Sequence, residues 1–173
     1  MDFLVRDAHA DEYGAVGELT GKVYVGDGLL EFGESDGYLE TLRDAATRAA
    51  QAELLVATAP NGKVLGTVTY VGDGGPYAEL AGETEAEFRM LAVDGAARGR
   101  GIGEALVQTC IDRTRLRAKT GIVICSQPHM RAAHRLYERF GFRRAPSRDW
   151  NPVEGSDLTL QAFTLTLRDA PAL

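Results

Sequence analysis

The chain has 173 residues, of which 45% are hydrophobic and 25% charged, with a formal net charge of −6. These figures suit one globular domain with a sizeable core and argue against a general nucleic-acid binder, which needs a basic stripe or interleaved aromatics. The two cysteines, Cys110 and Cys125, lack the paired spacing of a zinc site and read as reduced core residues. The opening Met1-Asp2-Phe3-Leu4 carries no basic n-region and no long apolar run. No signal peptide or transmembrane span is therefore expected, and the protein reads as cytoplasmic.

Phe3-Leu4-Val5-Arg6 reads as a first strand, followed by a helix over 10–25 capped by Asp7 or His9. Tyr13, Val16, Leu19 and Val23 give this helix an apolar face, although Gly14, Gly17 and Gly21 each weaken it by up to about 1 kcal/mol. A glycine- and acid-rich loop covers 26–37. A second helix is predicted from Ser35 to Ala52, with Leu39, Leu42, Ala46 and Ala49 at helical spacing. Leu54–Thr58 and Val64–Val71 read as a hairpin around Asn61-Gly62. After a loop to about Thr84, a strand is predicted over Glu85–Val93. A helix over Glu104–Arg117 would bury Ile102, Leu106, Cys110 and Leu116. Its closing arginines complement the helix dipole. Gly121–Cys125 is a continuous apolar run, as expected of a central strand covered on both faces. Met130–Phe140 is a helix, Phe142 begins another strand, and Leu158–Leu167 reads as a final antiparallel edge strand that could pair across a homodimer. The order predicts a single α/β (α+β) domain with a mixed sheet.

Between the strand at 85–93 and the next helix lies Arg98-Gly99-Arg100-Gly101-Ile102-Gly103. Glycines let the backbone approach a ligand, and the helix that follows offers unpaired amides and the positive end of its dipole. This is a phosphate cradle. It is not a nucleotide P-loop, because Gly103 is followed by Glu104 and no Gly-Lys-Ser/Thr is present. It is not a dinucleotide fingerprint either, because Glu104 stands where the third glycine belongs.

Arg98-x-x-Gly101-x-Gly103 after Leu91-Ala92-Val93 resembles the acyl-CoA pyrophosphate loop of the GNAT superfamily of N-acetyltransferases. A second block, Ala133-x-x-Leu136-Tyr137-x-x-x-Gly141-Phe142, resembles the helix and turn flanking the cofactor thiol in the same enzymes. The resemblance covers residues 3–167, most loosely in the N-terminal third. It implies a GNAT-like fold with about four helices around a mixed sheet and a splayed pair of central strands. It implies acetyl-CoA as co-substrate, no metal, and an amine acceptor.

Position by position, the resemblance gives Arg98, Gly99, Arg100, Gly101, Ile102 and Gly103 to the CoA pyrophosphate. Leu91 and Val93 would offer backbone groups to the pantetheine arm. Tyr137 would sit beside the thioester sulfur as general acid, and Glu87 would be the general base, directly or through water. Met130 stands at the cofactor-arm position where many members carry an Asn, a departure from the family's pattern; His129 beside it would lend a polar group. The acceptor site would draw on Tyr24, Glu31, Glu34, Tyr38 and Trp150. A lysine-like amine must lose a proton at a cost of roughly 4.6 kcal/mol at pH 7, so a base is useful. The N–H of Leu91 is the expected oxyanion donor. An acyl-CoA-binding sensor without turnover would keep the loop yet need neither Glu87 nor Tyr137, and a nucleotide-binding regulatory domain would need only the cradle. The presence of both residues favours the enzyme.

Overall fold

The computed structural model describes residues 2–167. Seven strands form one sheet: β1 (Leu4–Asp7), β2 (Glu53–Thr58), β3 (Val64–Val71), β4 (Glu85–Val93), β5 (Gly121–Ser126), β6 (Arg143–Arg144) and β7 (Gln161–Thr166). Their spatial order is β1-β2-β3-β4-β5-β7-β6. Every neighbouring pair is antiparallel except β4 and β5, which are parallel. Five α-helices accompany the sheet: α1 (Tyr13–Gly26), α2 (Tyr38–Arg43), α3 (Ala45–Gln51), α4 (Ile102–Leu116) and α5 (Arg131–Arg139).

Strand alternation divides the core. Leu54 and Val56 point to one face, where they meet Val16 and Leu19 of α1 and Ala45 of α3. Leu55 and Ala57 point to the other, against Ile102, Leu106 and Cys110 of α4. Two glycines set the spacing of these layers. A Cβ on Gly17 would lie 2.1 Å from the Arg43 carbonyl oxygen, so α1 touches the end of α2 backbone to backbone. A Cβ on Gly66 would lie 2.7 Å from Ile102 Cγ2, where α4 presses onto β3.

Three expectations change. The helix predicted over 35–52 is two helices. The Asp44 side chain accepts from Thr47 N at 3.1 Å and from Thr47 Oγ1 at 2.7 Å, capping a fresh start at Ala45. β7 is not the sheet edge, because Phe163 and Thr164 pair with Arg144 and Arg143 of β6. Leu116 is 86% exposed at the end of α4 rather than buried.

The feature that shapes the site is the parting of β4 from β5. They pair only at Glu85–Gly121, Ala86–Ile122 and Glu87–Val123. Beyond Glu87, β4 stays with β3 but kinks. Thr69 faces Arg89 and Thr67 faces Ala92, so β4 carries one residue more than its partner. Met90 takes up the excess with φ of 57°, a left-handed conformation that a side chain adopts only at a cost.

Candidate active site

The loop from Asp94 to α4 is held at its start. The Asp94 amide donates to the Leu65 carbonyl at 2.8 Å, and the Asp94 carboxylate caps the following turn through Ala96 N at 3.1 Å. Gly99 and Gly101 then take φ of 78° and 81°. Among the described residues, the amides of Gly99, Gly101, Ile102 and Gly103 donate to no protein acceptor. Arg100 is exposed; Arg98 reaches back to Asp27 at 2.8 Å. These four free amides at a helix N-terminus, with an exposed guanidinium beside them, fit a pyrophosphate. The second sequence block sits against this one, with Leu136 Cδ2 at 3.3 Å from where a Gly103 Cβ would stand.

The gap between β4 and β5 opens into a cavity of about 410 Å³. Phe88, Met90 and Leu91 of β4 form one wall, and Ser126, Met130 and Tyr137 form the opposite one. The backbone of β4 beyond Glu87 has no strand on this side, and Leu91 and Val93 are half-buried along it. Met130, the first turn before α5, accepts a weak bond from Ser126 Oγ at its sulfur, 3.5 Å away.

Tyr137 is 5% exposed and held by aromatic packing, with ring centroids 5.8 Å from Phe88, 5.8 Å from Phe142 and 6.0 Å from Phe163. Burial pushes its phenol well above the usual range. No side chain or backbone group engages the hydroxyl among the described residues. Tyr137 is thus a neutral donor facing the cavity at any working pH.

Glu87 lies behind the cavity wall, not on it, and is fully buried. Its Oε1 accepts the amides of Glu79, Leu80 and Ala81 at 3.0, 2.9 and 3.0 Å. Its Oε2 has no partner among the described residues. Burial raises the carboxyl above its ordinary value, and the three amides work in the opposite direction. Among the described residues no arginine pairs with it directly: Arg89 bridges to Glu79 and Arg148 to Glu85.

Of the residues expected to meet an acceptor, Tyr24, Glu31, Tyr38 and Trp150 line the cavity. Glu34 does not; it is exposed in a short turn nearby. Several wall residues had no sequence signal. Arg89 enters the cavity from β4, and Cys125 lines it with its thiol pushed up to about 11 by burial. His129 is not part of the wall. His134 is the histidine that approaches it, with Nε2 3.1 Å from Ser126 Oγ. Neither an isolated Arg on a strand nor a Ser and a His eight residues apart announces such a contact, because α5 folds back across β5 to make it.

The parted strands and the glycine loop before α4 belong to a fold shared with known acetyltransferases. Residues 23–142 match the acetyltransferase (GNAT) family, and the chain belongs to that family. In fold it is similar to yncA of Salmonella typhimurium, solved with its cofactor acetyl-CoA (TM-score 0.71, 21% identity, 99% of this chain and 98% of that one). It is likewise similar to a GCN5-related N-acetyltransferase of Kribbella flavida (TM-score 0.70, 24% identity, 96% and 98%). In sequence it is 36% identical over 78 residues to the N-acetylaspartate synthetase of Danio rerio, a match covering 45% of this chain and 25% of that protein. The chain thus spans about a quarter of the length of that curated relative.

Proposed function

We propose that the protein is an acetyl-CoA-dependent N-acetyltransferase that moves the acetyl group to a primary amine by direct attack on the thioester. The observation that carries this reading is the continuity of the site. Four amides without protein acceptors lead into an unpaired strand backbone, and that backbone leads into a cavity walled by an unengaged, buried tyrosine hydroxyl.

In this reading the amides of 98–103 bind the pyrophosphate and the Arg100 guanidinium adds charge. The pantetheine arm takes the place of a strand beside Leu91 and Val93. Met90 turns the backbone at the bulge so that the Leu91 N–H can meet the carbonyl oxygen as charge grows on it, a contact worth about 2.7–4 kcal/mol in comparable sites. The amine nitrogen forms its bond to the carbonyl carbon as the carbon–sulfur bond breaks. Tyr137 gives its proton to the departing sulfur. The proton lost by the amine passes through water to Glu87, whose partnerless Oε2 and raised pKa suit a base. Because Oε1 is committed to three amides, Glu87 acts at a distance. Met130 contributes apolar wall where the family often has an amide. The cytoplasm supplies both substrates, and no described helix is long and apolar enough to cross a membrane.

The acceptor is a small molecule, an amino acid or a peptide amine. The name of the curated relatives, N-acetylaspartate synthetase, supports an amino acid among these. The test is thiol release from acetyl-CoA against a panel of primary amines, beside thermal stabilisation by acetyl-CoA alone. Stabilisation with amine-dependent release is expected. Stabilisation without release from any amine would favour a sensor, and neither would remove CoA from the loop.

A further inference from the structure

Arg89 lines the cavity and Arg48 lies buried between α1 and α2, and among the described residues neither has a carboxylate in forked geometry. Arg89 lines the wall with a side chain 17% exposed. Its contacts are single rather than forked, and one of them is an ion pair. Nη1 lies 3.3 Å from Glu79 Oε1 and 3.2 Å from the Tyr77 carbonyl, and Nη2 lies 3.3 Å from the Tyr38 hydroxyl. The structural arginine pairs elsewhere are closer and forked: Arg6–Glu12 at 2.7 and 2.9 Å, Arg144–Asp149 at 2.8 and 2.8 Å, and Arg148–Glu85 at 2.8 and 2.8 Å. A guanidinium offers five N–H groups in a planar fork, and at Arg89 that fork faces the cavity without a carboxylate in forked geometry.

Arg48 stands one layer behind. It is fully buried, yet among the described residues no carboxylate lies within salt-bridge distance. It donates to the Thr41 and Leu42 carbonyls at 2.9 and 2.7 Å, and its Nε is buried without a partner. Its Nη2 also lies 3.5 Å from Thr20 Oγ1 of α1, the helix that carries the cavity residue Tyr24, and its carbonyl partners Thr41 and Leu42 belong to α2, the helix that carries the cavity residue Tyr38. An unmatched buried cation is costly, and an anion brought near it recovers part of that cost. The acids around the same space are accounted for. Glu79 leans on Arg89, and Asp36 accepts the Phe32 and Tyr38 amides at 3.3 and 2.9 Å. Glu31 is exposed where the cavity meets solvent.

We infer that the acceptor is a small amino acid bearing a free carboxylate near its amine, and that Arg89 is the residue that holds this carboxylate, with Arg48 adding its charge from behind. This rests on the acetyltransferase reading above and narrows it. Arg89 is two residues from Leu91 along the kinked strand, so a carboxylate on its fork leaves the neighbouring amine beside the expected thioester position. Glu31 at the mouth meets the incoming ammonium. A peptide N-terminus, whose α-carboxyl is an amide, has no charge to offer the fork and is excluded by the same argument.

The test compares, on the wild-type chain with acetyl-CoA, sets of three acceptors sharing one side chain: the free amino acid, its carboxamide and its decarboxylated amine. Initial thiol release gives kcat/KM, and thermal shift in the presence of CoA gives binding independently of turnover. The acid is expected to lead both analogues by about 100-fold or more, as for a site built around a substrate polar group. Arg89→Gln should abolish that preference chiefly through KM, Arg89→Lys should restore part of it, and stabilisation by acetyl-CoA should not change in either. Carboxamides, decarboxylated amines or peptides used as well as the acid by the wild type would overturn the inference, whatever the variants do. So would acetyl-CoA stabilisation with no binding of any acid, a result that leaves the CoA reading standing. Loss of acetyl-CoA stabilisation in the wild type would instead fall on the acetyltransferase reading and take this inference with it.

Discussion

Glu87 and Val123 are the last residues at which β4 and β5 pair, and Glu87 also holds the 79–81 backbone through three amides. One side chain therefore stands where the sheet begins to open and fixes the loop that carries Glu79, the partner of Arg89. The opening itself needs no glycine. It comes from the bulge at Met90, which turns β4 away from its parallel neighbour while β3 keeps hold of it.

Tyr137→Phe removes a hydroxyl that no protein group engages, so folding should be unharmed. As general acid the hydroxyl is worth about 10²–10⁴ in rate. We expect kcat to fall by about 100-fold, with stabilisation by acetyl-CoA unchanged. Steady-state kinetics beside a melting curve checks both, and an unaltered kcat would take the acid role from Tyr137.

Glu87→Gln keeps an oxygen for the three amides but cannot take a proton. A base must be ionised, so wild-type activity should rise with pH through a value above the carboxyl's ordinary 4.5, and the variant should lose that acidic limb. Stability runs the other way. A carboxyl raised in the fold favours its protonated form, so its contribution is full below the unfolded value and declines as pH rises through the folded one. The variant should therefore compare better with wild type at pH 7 than at pH 4. A pH–rate profile with the limb intact in the variant would remove Glu87 from the proton path.

Gly101→Ala places a side chain at φ of 81°, at a cost of about 1–2 kcal/mol, and its Cβ would point into open space at the head of α4. Melting should drop modestly. Acetyl-CoA should stabilise the variant less than wild type, because the new methyl stands among the free amides. Equal stabilisation by acetyl-CoA would put the pyrophosphate elsewhere.

The glycines of α1 should separate cleanly. Gly14 has nothing within 4 Å of its virtual Cβ, so Gly14→Ala should gain a few tenths of a kcal/mol, up to about 1 kcal/mol, from helix propensity. Gly17→Ala would drive a methyl into the Arg43 carbonyl and should lose about 1–3 kcal/mol or more. Denaturant melts of the two variants read the difference directly, and similar effects at both positions would contradict the close crossing of α1 and α2.

Much of this was legible in the chain. Val64–Val71 and Glu85–Val93 are the strands that their patterns predicted, and the glycine loop lies where strand gives way to helix. Those features depend on local periodicity and on residues with special backbone freedom. What escaped depends on distant pairing. Strict alternation along β4 is broken between Arg89 and Ala92 by a bulge at Met90, an ordinary residue in an unusual conformation. The break at Asp44 was written in Asp-x-x-Thr but outvoted by the apolar spacing on either side. The strand expected from Phe142 is present as Arg143–Arg144, but nothing local says that it pairs outside β7 and so makes β7 an inner strand. Arg89 and His134 gain their meaning only where the loop at 77–79 and the helix α5 close on them.

The decisive measurement is mass-resolved formation of N-acetylated product from acetyl-CoA by the wild-type chain across primary amines. Thiol release that depends on an amine, with one acetyl group transferred to that amine per thiol freed, is the expected result. Thiol release that does not depend on any amine, or no acetylated product from any of them, would contradict an N-acetyltransferase.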